Sequence, residues 1–101
     1  MKVTDKTYTD QQEKLSRYAK ALGHPARAFI LQFLESCDGC FVGNIVDELP
    51  MAQSTVSQHL KELKEAGLIQ GTINPPKVKY CINRSNWDEA KALFEVFFNQ
   101  G

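Results

Sequence analysis

The chain has 101 residues, of which 12 are basic and 12 are acidic, so its formal net charge at pH 7 is zero. This size predicts one domain over residues 1–101, and the neutral balance argues against a generally basic nucleic-acid binder. No apolar run approaches the roughly 20 residues needed to cross a bilayer, and residues 1–6 lack the apolar stretch of a secretory signal. Three cysteines fit a reducing compartment better than a disulfide framework. We therefore expect a cytoplasmic protein.

The charges are unevenly distributed along the chain. Residues 54–84 carry five basic and two acidic side chains, whereas residues 24–53 carry one basic and four acidic side chains. A basic region within a neutral protein suits a regulator that must both find and leave DNA, because phosphate contacts dominate affinity. An ordinary mixed surface would give similar counts, so charge alone does not decide between the two.

The first predicted element is a helix that follows a loose arm at residues 1–8. Thr9 and Gln12 form a capping-box signature at its start, and Gly23 is suited to its end. Its apolar residues recur along one face at helical spacing. They are Leu15, Tyr18, Ala19 and Leu22.

Two further helices are predicted before residue 51. Pro25 suits the first position of the second helix, which should end near Ser36. The turn-like sequence Cys37-Asp38-Gly39-Cys40 precedes a third helix, which Pro50 ends. The predicted buried faces are Phe29, Ile30, Phe33 and Leu34 in the second helix, and Val42, Ile45, Val46 and Leu49 in the third.

A short turn at residues 51–52 leads into a fourth helix that Gly67 closes. Its narrow apolar stripe consists of Val56, Leu60 and Leu63, and its other faces are polar. Two helices joined by so short a turn, the second with a polar outer face, form the helix-turn-helix pattern.

Residues 68–73 and 78–82 read as two strands around the turn signal Asn74-Pro75-Pro76-Lys77. A hairpin directly after the second helix of such a pair is a wing. We therefore predict a mainly α fold with a small β-hairpin, a winged helix-turn-helix in the order α-α-α-α-β-β-α.

Asn86 and Glu89 form a capping signature for the last helix, which is apolar over much of its circumference. A helix of this kind must be covered on more than one side. A chain of this length can cover one side, and a second protomer can cover the other.

The fourth helix carries the residues that we expect to read DNA. The second helix of a helix-turn-helix enters the major groove, where an amide can pair with adenine and a lysine can neutralise a phosphate. A plain solvated helix face would also be polar, but the wing directly downstream favours the DNA interpretation. The candidate DNA-binding residues are Gln53, Ser54, Thr55, Ser57, Gln58 and Lys61 on the helix, and Lys77 and Lys79 on the wing.

Residues 53–69 (QSTVSQHLKELKEAGLI) closely resemble the recognition-helix signature of the ArsR-type (ArsR/SmtB) transcriptional repressors. Residues 21–27 (ALGHPAR) resemble the entry to that family's second helix, and the resemblance covers about residues 10–98. Ala52 departs from the pattern, because the family usually has a serine cap there.

The resemblance implies a homodimer that pairs through its first and last helices. It also implies binding to a palindromic operator and release when an inducer binds. The interface residues expected from it are Leu15, Tyr18, Leu93, Phe94, Phe97 and Phe98.

Two metal sites known in the family are missing from this sequence. Many relatives use two cysteines of the third helix, and the matching positions here are Phe41 and Gly43. A second family site uses histidines and carboxylates of the last helix, which here contains carboxylates but no histidine.

Cys37 and Cys40 remain as candidate sensing thiols. Thiolates at this spacing can chelate zinc or arsenite, or oxidise to a disulfide. Two ligands fall short of the four in a closed zinc site, so Cys81 or residues of a partner chain would have to complete it. An incidental pair is the alternative, with Cys81 simply packed, so a thiol-bound metal or metalloid stays open and no cofactor is certain.

His59 is a candidate metal ligand, but its place beside Leu60 favours a partly buried structural role. His24, beside Pro25, is expected to be a structural residue at a helix end. Two other classes of function compete with the repressor. A winged helix that binds protein should show acidic or apolar residues on the fourth helix, which Ser57 and Lys61 contradict. An enzyme is not expected, because the sequence contains no phosphate loop, carboxylate cluster or nucleophile motif.

Overall fold

The computed structural model describes residues 7–37 and 40–100. Residues 1–6 of the predicted arm and residues 38–39 of the predicted turn lie outside this part. Within it, no helix is long and apolar enough to span a membrane. The elements are α1 (Asp10–Leu22), α2 (Pro25–Glu35), β1 (Cys40–Phe41), α3 (Val42–Asp47), α4 (Gln53–Glu65), β2 (Ile69–Asn74), β3 (Lys77–Ile82) and α5 (Arg84–Phe98).

The predicted order of helices and hairpin is confirmed, with one additional strand. The three strands form an antiparallel sheet in the order β1-β3-β2, in which Cys40 pairs with Tyr80 and Phe41 with Lys79. A strand of two residues is too short to show alternation of apolar and polar side chains. It is defined only by its pairing with β3, which the local sequence does not reveal.

The helix α3 is shorter than predicted. It ends at Asp47 rather than at Pro50, because the N–H groups of Glu48 and Leu49 bond to carbonyls three residues back, at 3.1 Å each. This tighter pattern is typical of the last turn of a helix. Leu49 nevertheless packs against the core from outside the helix.

The core lies between α4 and the helices α1, α2 and α5. The predicted stripe of α4 is confirmed, since Val56, Leu60 and Leu63 are each 0% exposed. Three predicted core positions were wrong. On α1, Ala21 is buried, whereas Ala19 and Leu22 are exposed. On α2, Leu31 is buried, whereas Phe29 is 38% exposed. The side chain of Val42, predicted to be buried on α3, lies outside the described part.

The start of α1 is confirmed and that of α5 is corrected. Thr9 and Gln12 exchange two 3.0 Å hydrogen bonds in a complete capping box. The cap of α5 is Asn83, whose Oδ1 accepts the N–H of Asn86 at 3.2 Å, so the predicted cap at Asn86 was wrong. Asn86 lies in the first turn and donates from Nδ2 to the carbonyl of Gly67 at 2.9 Å.

The end of α4 is closed by a Schellman motif. The N–H of Leu68 bonds to the carbonyl of Leu63 at 3.1 Å, and the N–H of Gly67 bonds to the carbonyl of Lys64 at 3.0 Å. Gly67 has φ +90°, a conformation that side chains other than glycine rarely adopt. A Cβ at this position would lie 2.9 Å from Nδ2 of Asn86, so both the backbone and its neighbour require glycine.

We expect Gly67→Ala to lower the free energy of unfolding by about 1–2 kcal/mol, the cost of a left-handed alanine. Gly43→Ala is the matched control, because a Cβ there meets nothing within 4 Å and Gly43 lies in α3. That change should be neutral or stabilise by up to about 1 kcal/mol. Urea unfolding followed by circular dichroism measures both, and equal stability of the two variants would contradict the role given to Gly67.

Candidate DNA-binding surface

The exposed face of α4 follows from the burial of its apolar stripe. A helix of 13 residues is about 20 Å long, and its buried side faces α2 and α3. The opposite side is open to solvent along its whole length. All six predicted reading residues on α4 are exposed: Gln53, Ser54, Thr55, Ser57, Gln58 and Lys61.

The structure brings the start of α4 and the wing together around one groove. The groove has a volume of about 530 Å³, and its lining includes Gln53, Asn44 and Lys77. Asn44 was not among the site residues predicted from the sequence. Its Oδ1 accepts the N–H of Phe41 at 3.1 Å, so its position at the start of α3 is fixed by a local bond.

The two wing lysines differ in exposure. Lys77 is exposed, and its Nζ lies 5.3 Å from the ring centroid of Phe41, a cation–π distance. Lys79 is only half-exposed, because it pairs with Phe41 of β1 on one side and with Thr72 of β2 on the other, whereas Lys77 pairs with β2 alone. Lys77 is therefore the more accessible wing cation.

Gln58 is engaged within its own helix. Its Nε2 donates to Oε2 of Glu62, one turn later, at 3.1 Å. A bidentate contact with adenine needs both ends of the amide, so that bond must be exchanged when a base is read. This partner was not predicted from the sequence, although the spacing of four residues between Gln58 and Glu62 is visible there.

The N-terminal end of α4 lacks a side-chain cap, as expected from the alanine at position 52, where the family usually has a serine. Ala52 is the N-cap, and its side chain makes no capping hydrogen bond. Only backbone bonds hold this end: the N–H groups of Thr55 and Val56 both donate to the carbonyl of Ala52 at 3.1 Å.

Behind α4, two histidines and one arginine fix the helix to its neighbours. His59 is 8% exposed, and its Nδ1 accepts from Nε of Arg27 at 3.1 Å. Arg27 also donates to the carbonyl of Ala21 at 3.3 Å. The ring of His24, which caps α2 by accepting the N–H of Ala26, lies 4.4 Å from that of His59. The predicted structural role of both histidines is confirmed.

Burial lowers the pKa of His59 below 6.5, and the nearby charges of His24 and Arg27 lower it further, against an opposing effect of Glu62. The folded protein therefore binds fewer protons than the unfolded chain just below pH 6.5. We expect the contribution of His59 to the free energy of unfolding to be fully present above that pH. It should fall as the pH drops toward 4.5, the ordinary pKa of a glutamate carboxyl.

His59→Gln should flatten this pH dependence between pH 6.5 and 4.5 whatever its effect on absolute stability. His24→Asn is the companion variant, since asparagine keeps a capping acceptor and leaves His59 in place. Thermal melts across this range measure the slopes. If the slope of thermal stability against pH is unchanged in His59→Gln, the pH dependence arises from another group.

A second surface lies between α1 and α5. A groove of about 440 Å³ is lined by Leu15, Leu93 and Phe97 among others. Phe97 and Phe98 are 53% and 75% exposed, whereas Leu15, Leu93 and Phe94 are half-buried. Tyr18 lies within the protomer, so it offers little surface to a partner.

The Tyr18 hydroxyl donates to Oε1 of Glu89 at 2.7 Å, and Nζ of Lys14 pairs with Oε2 of the same carboxylate at 2.8 Å. Burial, with the bond to Glu89 adding to it, raises the pKa of Tyr18 to about 12. The hydrogen bonds from Lys14 and Tyr18 lower the pKa of Glu89. This cluster fixes α1 against α5.

The cysteines are partly described. Cys37 is exposed at the end of α2, and its Sγ lies 3.3 Å from the carbonyl of Phe33. Cys81 is half-buried and lies 3.7 Å from Nε2 of Gln70. The side chain of Cys40 lies outside the described part. Among the His, Cys, Asp and Glu side chains that the structure does describe, no three are grouped so as to hold a metal.

Comparison with known proteins agrees with this geometry. A family model described as bacterial regulatory protein, arsR family, matches residues 24–70, from the cap of α2 into β2. CmtR, an HTH-type transcriptional regulator of Mycobacterium tuberculosis, is 34% identical over 87 residues, which cover 85% of this chain and 70% of that protein. The chain belongs to the ArsR family. MJ1325, an HTH-type transcriptional regulator of Methanocaldococcus jannaschii, is 39% identical to this ArsR-family protein over 61 residues, 60% of this chain and 68% of that one.

The fold has a solved counterpart. The solution structure of a fragment of Mb0332 from Mycobacterium bovis, described as a homodimeric winged helix-turn-helix DNA-binding domain, superposes with a TM-score of 0.73. It shares 24% sequence identity, and the match covers 98% of this chain and 91% of that chain. The predicted winged helix-turn-helix fold is confirmed, and this ArsR-family protein is a DNA-binding transcriptional regulator.

Proposed function

We propose that this ArsR-family regulator is a homodimeric repressor that reads a palindromic operator through α4 and the wing, and that an inducer releases it. The observation that carries the proposal is the continuous polar face of α4, exposed next to the groove it shares with Lys77. In this proposal the protein represses by occupying its operator.

The reading residues divide into two kinds. Gln58 is an exposed amide near the middle of the helix and is suited to base edges, whereas Lys61 is a charge suited to phosphate. Contacts of the first kind specify sequence, and those of the second fix position. Substituting the two should therefore produce different phenotypes.

We expect Gln58→Ala to weaken binding to the preferred operator by about 1–3 kcal/mol and to reduce discrimination at one base pair. Lys61→Ala should weaken all duplexes about equally and reduce the slope of log K against log salt by about 1. Fluorescence anisotropy with an operator selected from random duplexes measures both effects.

Lys20→Ala provides the matched control for Lys61→Ala, because Lys20 is exposed on α1 and does not line the groove between α4 and the wing. Its affinity and salt slope should equal those of the wild type. If Gln58→Ala and Lys61→Ala also bind the operator like the wild type, the proposed reading face is wrong.

The proposed dimer interface includes the outer side of α5. Apolar residues cover its outer side near the C-terminal end, where Phe98 stacks on Phe94 and meets Phe97 edge-on. Exposed aromatic side chains grouped in this way are typical of an interface. The Mb0332 fragment is described as homodimeric, and a two-fold dimer matches a palindromic operator.

Phe97→Glu should convert the dimer to monomers, because it places a charge in the proposed apolar interface. Ile73→Glu is the matched control: Ile73 is 76% exposed, but it lies on the wing and not on α5. Light scattering with size-exclusion chromatography measures the masses. Loss of the dimer in both variants, or in neither, would show that the interface does not depend specifically on Phe97 and lies elsewhere.

That Cys37 and Cys40 form a thiol, metal or metalloid sensing site remains a prediction. Cys37 is exposed at the end of α2, and Cys40 begins β1, which leads directly into α3 of the helix-turn-helix. Replacing both by serine and testing operator release by arsenite, zinc and peroxide decides between sensing and an incidental pair. We also infer a cytoplasmic location, since a transcriptional regulator acts where its DNA is.

A further inference from the structure

The wing carries an apolar face that continues past the core toward its tip. Residues paired across a hairpin place their side chains on the same side of it. The pairs on this side are Ile69 with Ile82, Gly71 with Tyr80 and Ile73 with Val78. Ile69 and Ile82 belong to the core, with exposures of 2% and 8%, whereas Ile73 is 76% exposed. The apolar face therefore begins in the core and ends in solvent.

Gly71 separates the packed part of this face from the exposed part. A Cβ on Gly71 would lie 3.2 Å from Cε1 of Tyr80 and 3.2 Å from Cγ1 of Val78, so these two side chains take up the space beside the glycine. Both are half-buried. Ile73 lies four residues beyond Ile69, a distance of about 13 Å along an extended strand. It is thus carried beyond the side chains that pack on the wing.

The turn that follows Ile73 is also apolar on its surface. Pro75 and Pro76 are both exposed, and a proline has no N–H to donate to a phosphate. Ile73, Pro75 and Pro76 are named here the apolar tip. Exposed apolar residues that are grouped, rather than scattered singly, mark a surface that binds something.

The apolar tip is continuous with the candidate DNA-binding surface. Pro76 and the two residues after it, Lys77 and Val78, line the groove that also includes Gln53 at the start of α4. With α4 in the major groove, the neighbouring minor groove lies across one sugar–phosphate strand, on the side of the wing. The minor groove is only roughly 6 Å wide, so side chains of a hairpin tip can enter it but a whole two-stranded ribbon cannot.

Charge does not account for attraction between the wing and DNA. Lys77 lines the groove beside α4, but Asp47 lines it too and opposes a phosphate there. The register places Lys77 on the other side of the hairpin from Ile73, where its Nζ lies 5.3 Å from the ring centroid of Phe41. The walls of the minor groove include apolar C–H surfaces of the sugars, and minor-groove proteins use isoleucine and proline side chains there.

We propose that the apolar tip packs against the walls of the minor groove next to the major groove that α4 reads. Ile73 then makes the protein prefer DNA whose minor groove is wide at this position. The contact stabilises the complex without neutralising a phosphate. This inference rests on the proposed function, since it takes α4 as the reading helix.

The first test compares affinity with its dependence on salt. Ile73→Ala should weaken operator binding about five-fold, because part of a buried apolar side chain is lost, and should keep the salt slope of the wild type. Lys77→Ala should instead reduce that slope by about 1. Ile73→Leu, which keeps the apolar volume, should retain most of the affinity. Fluorescence anisotropy with the selected operator, repeated at several salt concentrations, measures all three.

Thr72→Ala is the matched control. Thr72 is exposed on the same strand, but it pairs with Lys79 and so lies on the other side of the hairpin from Ile73. Its affinity should equal that of the wild type. Equal affinity of Ile73→Ala and the wild type, or an equal loss in Thr72→Ala, would overturn the inference.

The second test changes the DNA. Flanks of the selected operator are replaced by A-tracts, whose minor groove is narrow and strongly negative. We expect wild-type binding to weaken about three-fold, because a narrow groove excludes the apolar tip, and Ile73→Ala to be almost unaffected. Tighter binding of the wild type to A-tract flanks would show a cationic contact and overturn the inference.

Further outcomes separate this inference from the proposed function. If Gln58→Ala and Lys61→Ala weaken binding but Ile73→Ala does not, the reading helix stands and the role of the apolar tip is wrong. A lower mass of Ile73→Glu in light scattering would show that the apolar tip contacts a second copy of the chain and would also overturn it. If the wild type binds no duplex, the proposed function is contradicted and this inference with it.

Discussion

Val56, Leu60 and Leu63 lie on successive turns of one face of α4 and are fully buried. Burying each such side chain contributes about 1.5–3 kcal/mol relative to leaving it exposed, so the rotation of this helix about its own axis is strongly determined. The polar residues on the opposite side must then face solvent together. The packing of the core therefore determines which residues of α4 form the reading surface, and the residues of that surface are not needed to orient the helix.

The two ends of α4 are held differently. At the C-terminal end, Gly67 and Asn86 connect α4 to α5, and His59 is fixed to α2 through Arg27. The N-terminal end, capped by Ala52 without a side-chain bond, carries the first reading residues beside the wing. A change at the C-terminal joint can therefore alter the angle of the whole helix.

The sequence predicted most of this fold because helical spacing and caps are local signals. The stripe of α4, the capping box at Thr9 and the hairpin turn were all visible in it. The errors arose where tertiary contacts decide. The helix α2 is apolar at so many positions that spacing could not choose Leu31 over Phe29, and β1 exists only through its pairing with β3. In the candidate site, the residue types and their shared face were predictable, whereas the Gln58–Glu62 bond and the groove between α4 and the wing required the packed structure.

The most direct test of the central claim is a map of backbone amide chemical shifts in isotope-labelled protein, with and without a selected operator duplex. We expect the largest changes at residues 53–61 of α4 and residues 77–79 of the wing, with small changes along α2. Changes concentrated on α1 and α5, with α4 unaffected, would show that DNA binds another surface and would contradict the assignment of α4 as the reading helix.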